Sequence, residues 1–185
     1  VVKNSGSSFY WGMKILPKKQ ARSMFAIYAF CRIVDDIADD IESKKIRDKL
    51  LNEWEISIKR IFSTGIATSY LERELLLSIQ EFELEKKDFL SIIKGMRMDS
   101  NSKIVFPSKK KLELYCDRVA VAVGYLSIKI FGLSGSAKNY AFFLGRAFQL
   151  TNIVRDFNED LDRGRCYISE NYLKKYSIAK DIKKI

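Results

Sequence analysis

Five acids fall within eight residues at Asp35, Asp36, Asp39, Asp40 and Glu42, and no basic residue interrupts them. At helical spacing Asp35 and Asp39 share one face, which runs back through Arg32 to Tyr28. The residues around this polar stripe are apolar, among them Met24, Phe25, Ile27 and Phe30. A second stripe of the same kind lies far downstream, with Gln149, Asn152, Asp156 and Asp160 again three or four residues apart and Arg155 beside it. Gly145, one turn earlier, lets another group come close to that helix.

Either stripe alone reads as a solvated acidic face, because a like-charge i,i+4 pair costs only about 0.2–0.5 kcal/mol on an exposed helix. Two such stripes, each continued by amide, guanidinium or phenol groups, point instead to convergence on one cavity. Four carboxylates brought together raise their own pKa values or cost several kcal/mol unless a cation joins them. Oxygen donors without histidine or thiolate suit a hard divalent ion, so Asp35, Asp39, Asp156 and Asp160 are expected to hold Mg²⁺, with Mn²⁺ able to stand in. Such ions reverse the local sign, bind a diphosphate and stabilise the charge that builds as it departs. Arg32 and Arg155 suit the same anionic cargo. The carbocation left behind needs a dry, aromatic-rich pocket. An aromatic content of 12% is compatible with one.

The rest of the chain restricts the alternatives. It has 185 residues, 47% hydrophobic and 30% charged. That suits one globular domain over residues 1–185. The absence of histidine removes Ser-His-Asp and Cys-His catalysis and His-ligated metals. Three scattered cysteines give neither a disulfide framework nor a zinc site, and point to a reducing, cytoplasmic compartment. The net charge of +10 favours anionic partners, and five lysines after Tyr172 hint at peripheral attachment to the inner membrane surface. No secretory or spanning segment is read: Val119–Ile128 is far short of the ~20 residues a span needs. Val1 rather than methionine opens the chain, as in a processed or trimmed chain or a fragment.

Apolar periodicity is helical nearly throughout. Helices are expected from Pro17 to about Ile41, over Ser43–Phe62, Tyr70–Glu81 and Lys86–Met98, from Pro107 to about Phe131, and then on to Leu161. Asp99–Pro107 reads as a loop, Gly132–Gly135 as a turn, and the run Asp162–Arg165 as a helix stop. The expectation is an all-α antiparallel helical bundle.

These blocks resemble the squalene/phytoene synthase family, which joins two prenyl diphosphates head to head on an isoprenoid-synthase helical fold. The likeness starts at Ser7-Ser8-Phe9-Tyr10 and runs through Leu16-Pro17 and Ala26–Arg32 into the first aspartate motif. It continues in Leu114–Ala120 with Val123-Gly124, in Gln149–Asp160, and in Arg163-Gly-Arg-Cys-Tyr167. The resemblance implies that Asp35, Asp39, Asp156 and Asp160 carry the metal ions and diphosphates, with Asp36 in support. It implies that Arg32, Gln149, Asn152 and Arg155 contact phosphate, as does Ser8 with Ser5 and Ser7. Tyr28 and Tyr115 would line the reacting centre, and Phe9, Val119, Ala120, Val123, Gly124 and Gly145 would shape the prenyl tunnels. It also implies further helices beyond Ile185, so the bundle is expected to be incomplete at that end.

Gly95–Asp99, Tyr115–Ala120 and Ile128–Gly132 look most like bacterial presqualene diphosphate synthases. That implies condensation of two farnesyl diphosphates to presqualene diphosphate and pyrophosphate, with no NADPH needed for this first step, since no Gly-rich dinucleotide signature is present. Phytoene synthase, using geranylgeranyl diphosphate, is the nearest competitor. A non-catalytic helical assembly protein of the same ancestry is another, although it would be expected to lose the aspartates. A nucleic-acid-binding module is disfavoured because the acidic stripes repel phosphates without metal.

Overall fold

The computed structural model describes residues 9–41, 43–101 and 104–181, apart from the side chains of 99–101. Ser5, Ser7 and Ser8, expected at the diphosphate, lie outside the described residues, as do Lys183 and Lys184 of the basic end.

The elements are α1 (Phe9–Lys14), α2 (Lys18–Asp40), α3 (Lys44–Thr64), α4 (Tyr70–Phe82), α5 (Lys86–Asn101), α6 (Lys109–Cys116), a π-helical turn (Asp117–Val121), α7 (Ala122–Ile130), α8 (Ala137–Arg155), α9 (Phe157–Asp162) and α10 (Glu170–Lys175). Among the described residues there is no strand, only an isolated bridge between Val105 and Cys166. None of these helices is long and apolar enough to cross a membrane.

Helix α2 is the central pillar. Pro17, with φ of −51°, sets its start. Proline suits a helix start because its fixed φ is already helical. No glycine or proline interrupts the helix before Asp40. Its apolar positions Ala26, Ile27, Phe30, Val34, Ile37 and Ala38 recur every three or four residues and are buried. Phe30 meets Trp54 of α3 and Phe89 of α5 edge-on, both at 5.5 Å between ring centroids. Edge-to-face is a preferred geometry for such rings. Burying each such side chain contributes about 1.5–3 kcal/mol. With one face committed to this core, the stripe of Tyr28, Arg32, Asp35 and Asp39 is turned the other way.

Helices α3 and α4 are fastened by a buried carboxylate. Glu72, in the first turn of α4, accepts from the Thr68 N–H (2.6 Å), the Thr68 hydroxyl (2.9 Å) and Arg60 Nη2 (2.6 Å). Its own N–H donates to the capping Ser69 hydroxyl. Burial pushes the Glu72 carboxyl up, but these donors, with the Ser57 hydroxyl, outweigh it and leave it at about 2.

The helices depart from the sequence reading in three places. Helix α5 continues to Asn101, so the expected loop from Asp99 begins later. The long helix after Pro107 is interrupted by the π-helical turn, one residue of extra backbone that periodicity does not register. The helix expected to run unbroken to Leu161 stops at Arg155: Asp156 has φ −95° and ψ 15°, and α9 begins after it. No glycine or proline marks that break. It lets the neighbouring side chains of Arg155 and Asp156 meet, which a regular helix does not allow.

Helix α8 packs on the π-helical turn and α7. A Cβ on Gly145 would lie 2.9 Å from Val121 Cα and 3.1 Å from the Ala120 carbonyl carbon, so only glycine permits this approach. On its other side α8 exposes Tyr140, Phe143, Leu144, Phe148 and Val154.

Candidate active site

The two acid stripes line one cavity of about 490 Å³. From α2 come Tyr28, Arg32, Asp35, Asp36, Asp39 and Asp40, and from α8, α9 and the Asp156 junction between them come Gln149, Asn152, Arg155, Asp156, Glu159 and Asp160. Tyr115 and Val119 form part of the wall, together with Cys31, Met96, Ile153, Arg163, Arg165 and Tyr167. Burial of the opposite face of α2 against the core presents its stripe to the cavity, and the seating of α8 on the π-helical turn presents the second.

The wall carries seven carboxylates and four guanidinium groups, a net negative lining within a chain of net charge +10. Arg32 Nε lies 2.7 Å from Asp36, and the Arg32 side chain is more distant, at 4.0 Å, from Asp35. Arg155 makes two bonds to Asp156, of 2.7 and 2.6 Å, which hold that carboxyl below its ordinary range. Such a paired, charge-assisted contact favours the ionised form. Asp39 is more heavily engaged: Arg163 Nη1 lies 2.8 Å from Oδ2 and Arg165 Nη1 lies 2.6 Å from Oδ1. Arg165 Nε is also 3.1 Å from Asp160 Oδ1, so a single side chain spans both motifs.

A short turn places these arginines. After α9 the chain reverses at Gly164, whose φ of 73° is in the left-handed region. Glycine enters that region without steric cost. The Arg165 N–H then donates to the Asp160 carbonyl (2.7 Å). The next residue is pinned: the Cys166 N–H donates to the Ile104 carbonyl (2.8 Å), and the Cys166 carbonyl accepts from the Phe106 N–H (2.9 Å). This fixes Tyr167, which stacks on Tyr115 with ring centroids 5.2 Å apart and hydroxyls 3.5 Å apart. Both tyrosines are buried in a small cluster with Ile104.

Arg163, Arg165 and Tyr167 are visible in the sequence as a basic, tyrosine-ended segment but not as wall residues. Their positions depend on the Val105–Cys166 bridge, which no periodicity announces. Cys31 likewise carries no sequence signal that places it here. Burial, and then the Asp35 charge, push its thiol up to about 12.

Several expected contacts are not part of the wall. Phe9 is exposed on α1. Val123 packs against the main core, Gly124 faces Ala141, and Gly145 faces the backbone of Val121. They can affect the cavity by setting how α7 and α8 pack. The expected dry, aromatic pocket is also not what lines this space: its aromatic residues are Tyr28, Tyr115 and Tyr167 amid charged groups, while much of the apolar surface of α8 points outward.

The donor chemistry fits a hard divalent cation, since carboxylates and amides surround a net negative space. Among the described residues no three acids form a coordinating cluster; Asp39, Asp156 and Asp160 are instead engaged by arginines.

The squalene/phytoene synthase family profile matches residues 2–183. The presqualene diphosphate synthase of Zymomonas mobilis subsp. mobilis is 45% identical over 183 residues, covering 96% of this chain and 61% of that protein. The chloroplastic phytoene synthase 2 of Solanum lycopersicum is 34% identical over 173 residues, covering 90% of this chain and 55% of that protein. The crystal structure of a dehydrosqualene synthase in complex with ligand superposes with a TM-score of 0.83 at 30% identity, covering 96% of this chain and 62% of that one. The chain thus spans about three-fifths of the length of the presqualene diphosphate synthase and dehydrosqualene synthase it matches. On this agreement of motifs, fold and profile, the chain belongs to the squalene/phytoene synthase family.

Proposed function

We propose that this chain carries the diphosphate-ionising centre of a prenyltransferase that condenses two farnesyl diphosphates head to head, giving presqualene diphosphate and pyrophosphate. The observation that carries the reading is the shared cavity of Asp35, Asp39, Asp156 and Asp160. The greater similarity to a presqualene diphosphate synthase than to a phytoene synthase favours the C15 over the C20 substrate.

Asp35 and Asp39 on one side, and Asp156 and Asp160 on the other, would hold Mg²⁺, or Mn²⁺ in its place. When bound, the metal supplies positive charge to the diphosphate oxygens and so eases cleavage of the allylic C–O bond. Arg32, Arg155 and Arg163 line the cavity and bind phosphate oxygens. Gln149 and Asn152 orient them by hydrogen bonding. Tyr115 and Tyr167, buried and stacked, offer π faces to the allylic cation and a phenol to accept or hold a proton. Ionisation consumes no reductant, so NADPH is not required for this step. A greasy product and a basic chain suit a cytoplasmic protein held peripherally at the membrane surface.

The test is to incubate the protein separately with farnesyl and geranylgeranyl diphosphates, with Mg²⁺ and without NADPH, and identify products by mass spectrometry. Presqualene diphosphate from the C15 substrate supports the reading; phytoene from the C20 substrate alone overturns the substrate assignment.

A further inference from the structure

We infer that Arg165 is a built-in counter-cation of the acid stripes, which binds their carboxylates in the metal-free protein and yields them when a divalent ion arrives. The inference rests on the reading of the cavity as a metal and diphosphate site and concerns how that site is kept ready.

Three observations carry it. First, the Arg165 guanidinium reaches both motifs at once, 2.6 Å from Asp39 Oδ1 and 3.1 Å from Asp160 Oδ1. Second, all three side chains are largely withdrawn from water, at 12% exposure for Arg165, 22% for Asp39 and 14% for Asp160. Charges so placed need partners, because losing one leaves the others uncompensated. Third, both oxygens of Asp39 are occupied, the second by Arg163 at 2.8 Å. A cation that uses Asp39 must compete with these arginines for the same carboxylate charge. Metal binding at this carboxylate is therefore set against the arginines already held there.

The backbone supports such an exchange. The peptide units on both sides of Arg165 are anchored, by its own N–H on the Asp160 carbonyl and by the Cys166 N–H on the Ile104 carbonyl. The side chain can swing while its Cα stays in place, so the released guanidinium remains in the cavity where a diphosphate would bind. A planar fork that grips two carboxylates also suits phosphate oxygens. The same group thus prevents mutual repulsion of the acids before metal binds and adds positive charge once they are coordinated. Lysine, a single point charge, cannot bridge both acids in this way.

The test uses Mn²⁺ alone as the probe, with the free-ion electron paramagnetic resonance signal reporting its affinity. Removing the competing cation in R165Q should tighten Mn²⁺ binding by about tenfold, within the usual range of coupling between two ligands. In EDTA the R165Q melting temperature should fall below that of the parent, and saturating Mn²⁺ should close the gap. R165K should show a smaller tightening and serves if R165Q does not fold. Unchanged or weaker Mn²⁺ binding in the variants, with the parent binding normally, would overturn the inference and leave Arg165 a structural or ligand-orienting residue. Absence of Mn²⁺ binding by the parent and both variants would instead bring down the metal reading itself. Loss of binding in D160N is the control that the signal comes from this cavity.

Discussion

Asp39 and Asp160 belong to different acidic motifs and different helices, yet one guanidinium, that of Arg165, lies within 3.1 Å of a carboxylate oxygen on each. This contact brings the first motif on α2 to the second on α9. It also identifies the electrostatic problem the fold has to solve. The core of apolar residues fixes α2, and the close seating of α8 fixes the second stripe, so both sets of acids line one cavity. Arginines then provide the positive charge.

The seating of α8 should be sensitive to one methyl group. In Gly145→Ala the new Cβ would meet the Val121 Cα at 2.9 Å and the Ala120 carbonyl carbon at 3.1 Å, and backbone cannot turn aside as a side chain can. We expect a loss of about 1–3 kcal/mol in urea denaturation. Gly124→Ala meets the Ala141 carbonyl oxygen at 3.1 Å and should cost less. A Gly145→Ala protein as stable as the parent would mean that α8 is not held at this distance.

Glu72 should make stability depend on acid. Its carboxyl stands at about 2 in the folded chain against about 4.5 when free. A lowered folded-state value stabilises above the unfolded value, and that contribution is lost as pH falls from about 4.5 towards 2. The shift corresponds to about 3 kcal/mol at neutral pH. Glu72→Gln should therefore destabilise strongly at pH 7 and much less near pH 2.5, measured by denaturant unfolding at each pH. A penalty that does not change with pH would remove the ionised carboxylate from this role.

Tyr167→Phe keeps the ring that stacks on Tyr115 and removes only the hydroxyl. The melting temperature should stay near the parent value. Under the proposed reaction, in which the phenol handles a proton or positive charge, turnover of farnesyl diphosphate should fall by about 10²-fold. Parental turnover would leave Tyr167 as packing for Tyr115.

Much of this is legible in the sequence, and for identifiable reasons. Helix α2 carries two signals at once, a buried face from Ala26 to Ala38 and a polar face from Tyr28 to Asp39, so both its existence and its orientation can be read. The second stripe is readable from spacing, although the helix breaks at Asp156. The break preserves that spacing, because the Asp160 N–H still donates to the Asp156 carbonyl. The arginine network is not readable. Arg163 and Arg165 sit in a turn without periodicity, and their partner Asp39 lies over a hundred residues earlier. The π-helical turn likewise leaves no mark on residue type. Nor does the sequence disclose how few aromatic rings line the cavity, since aromatic content says nothing about where the rings point; Phe143 and Phe148 are exposed.

The central claim is that the two acid stripes act as one site. The most direct measurement is the rise in melting temperature that Mg²⁺ with pyrophosphate produces, compared among the parent, Asp35→Asn/Asp39→Asn and Asp156→Asn/Asp160→Asn. Ligands that bind only the folded state raise it by mass action. One shared site requires a clear rise in the parent and its loss in both double variants. A full rise that survives in either double variant would show that the motifs do not work together.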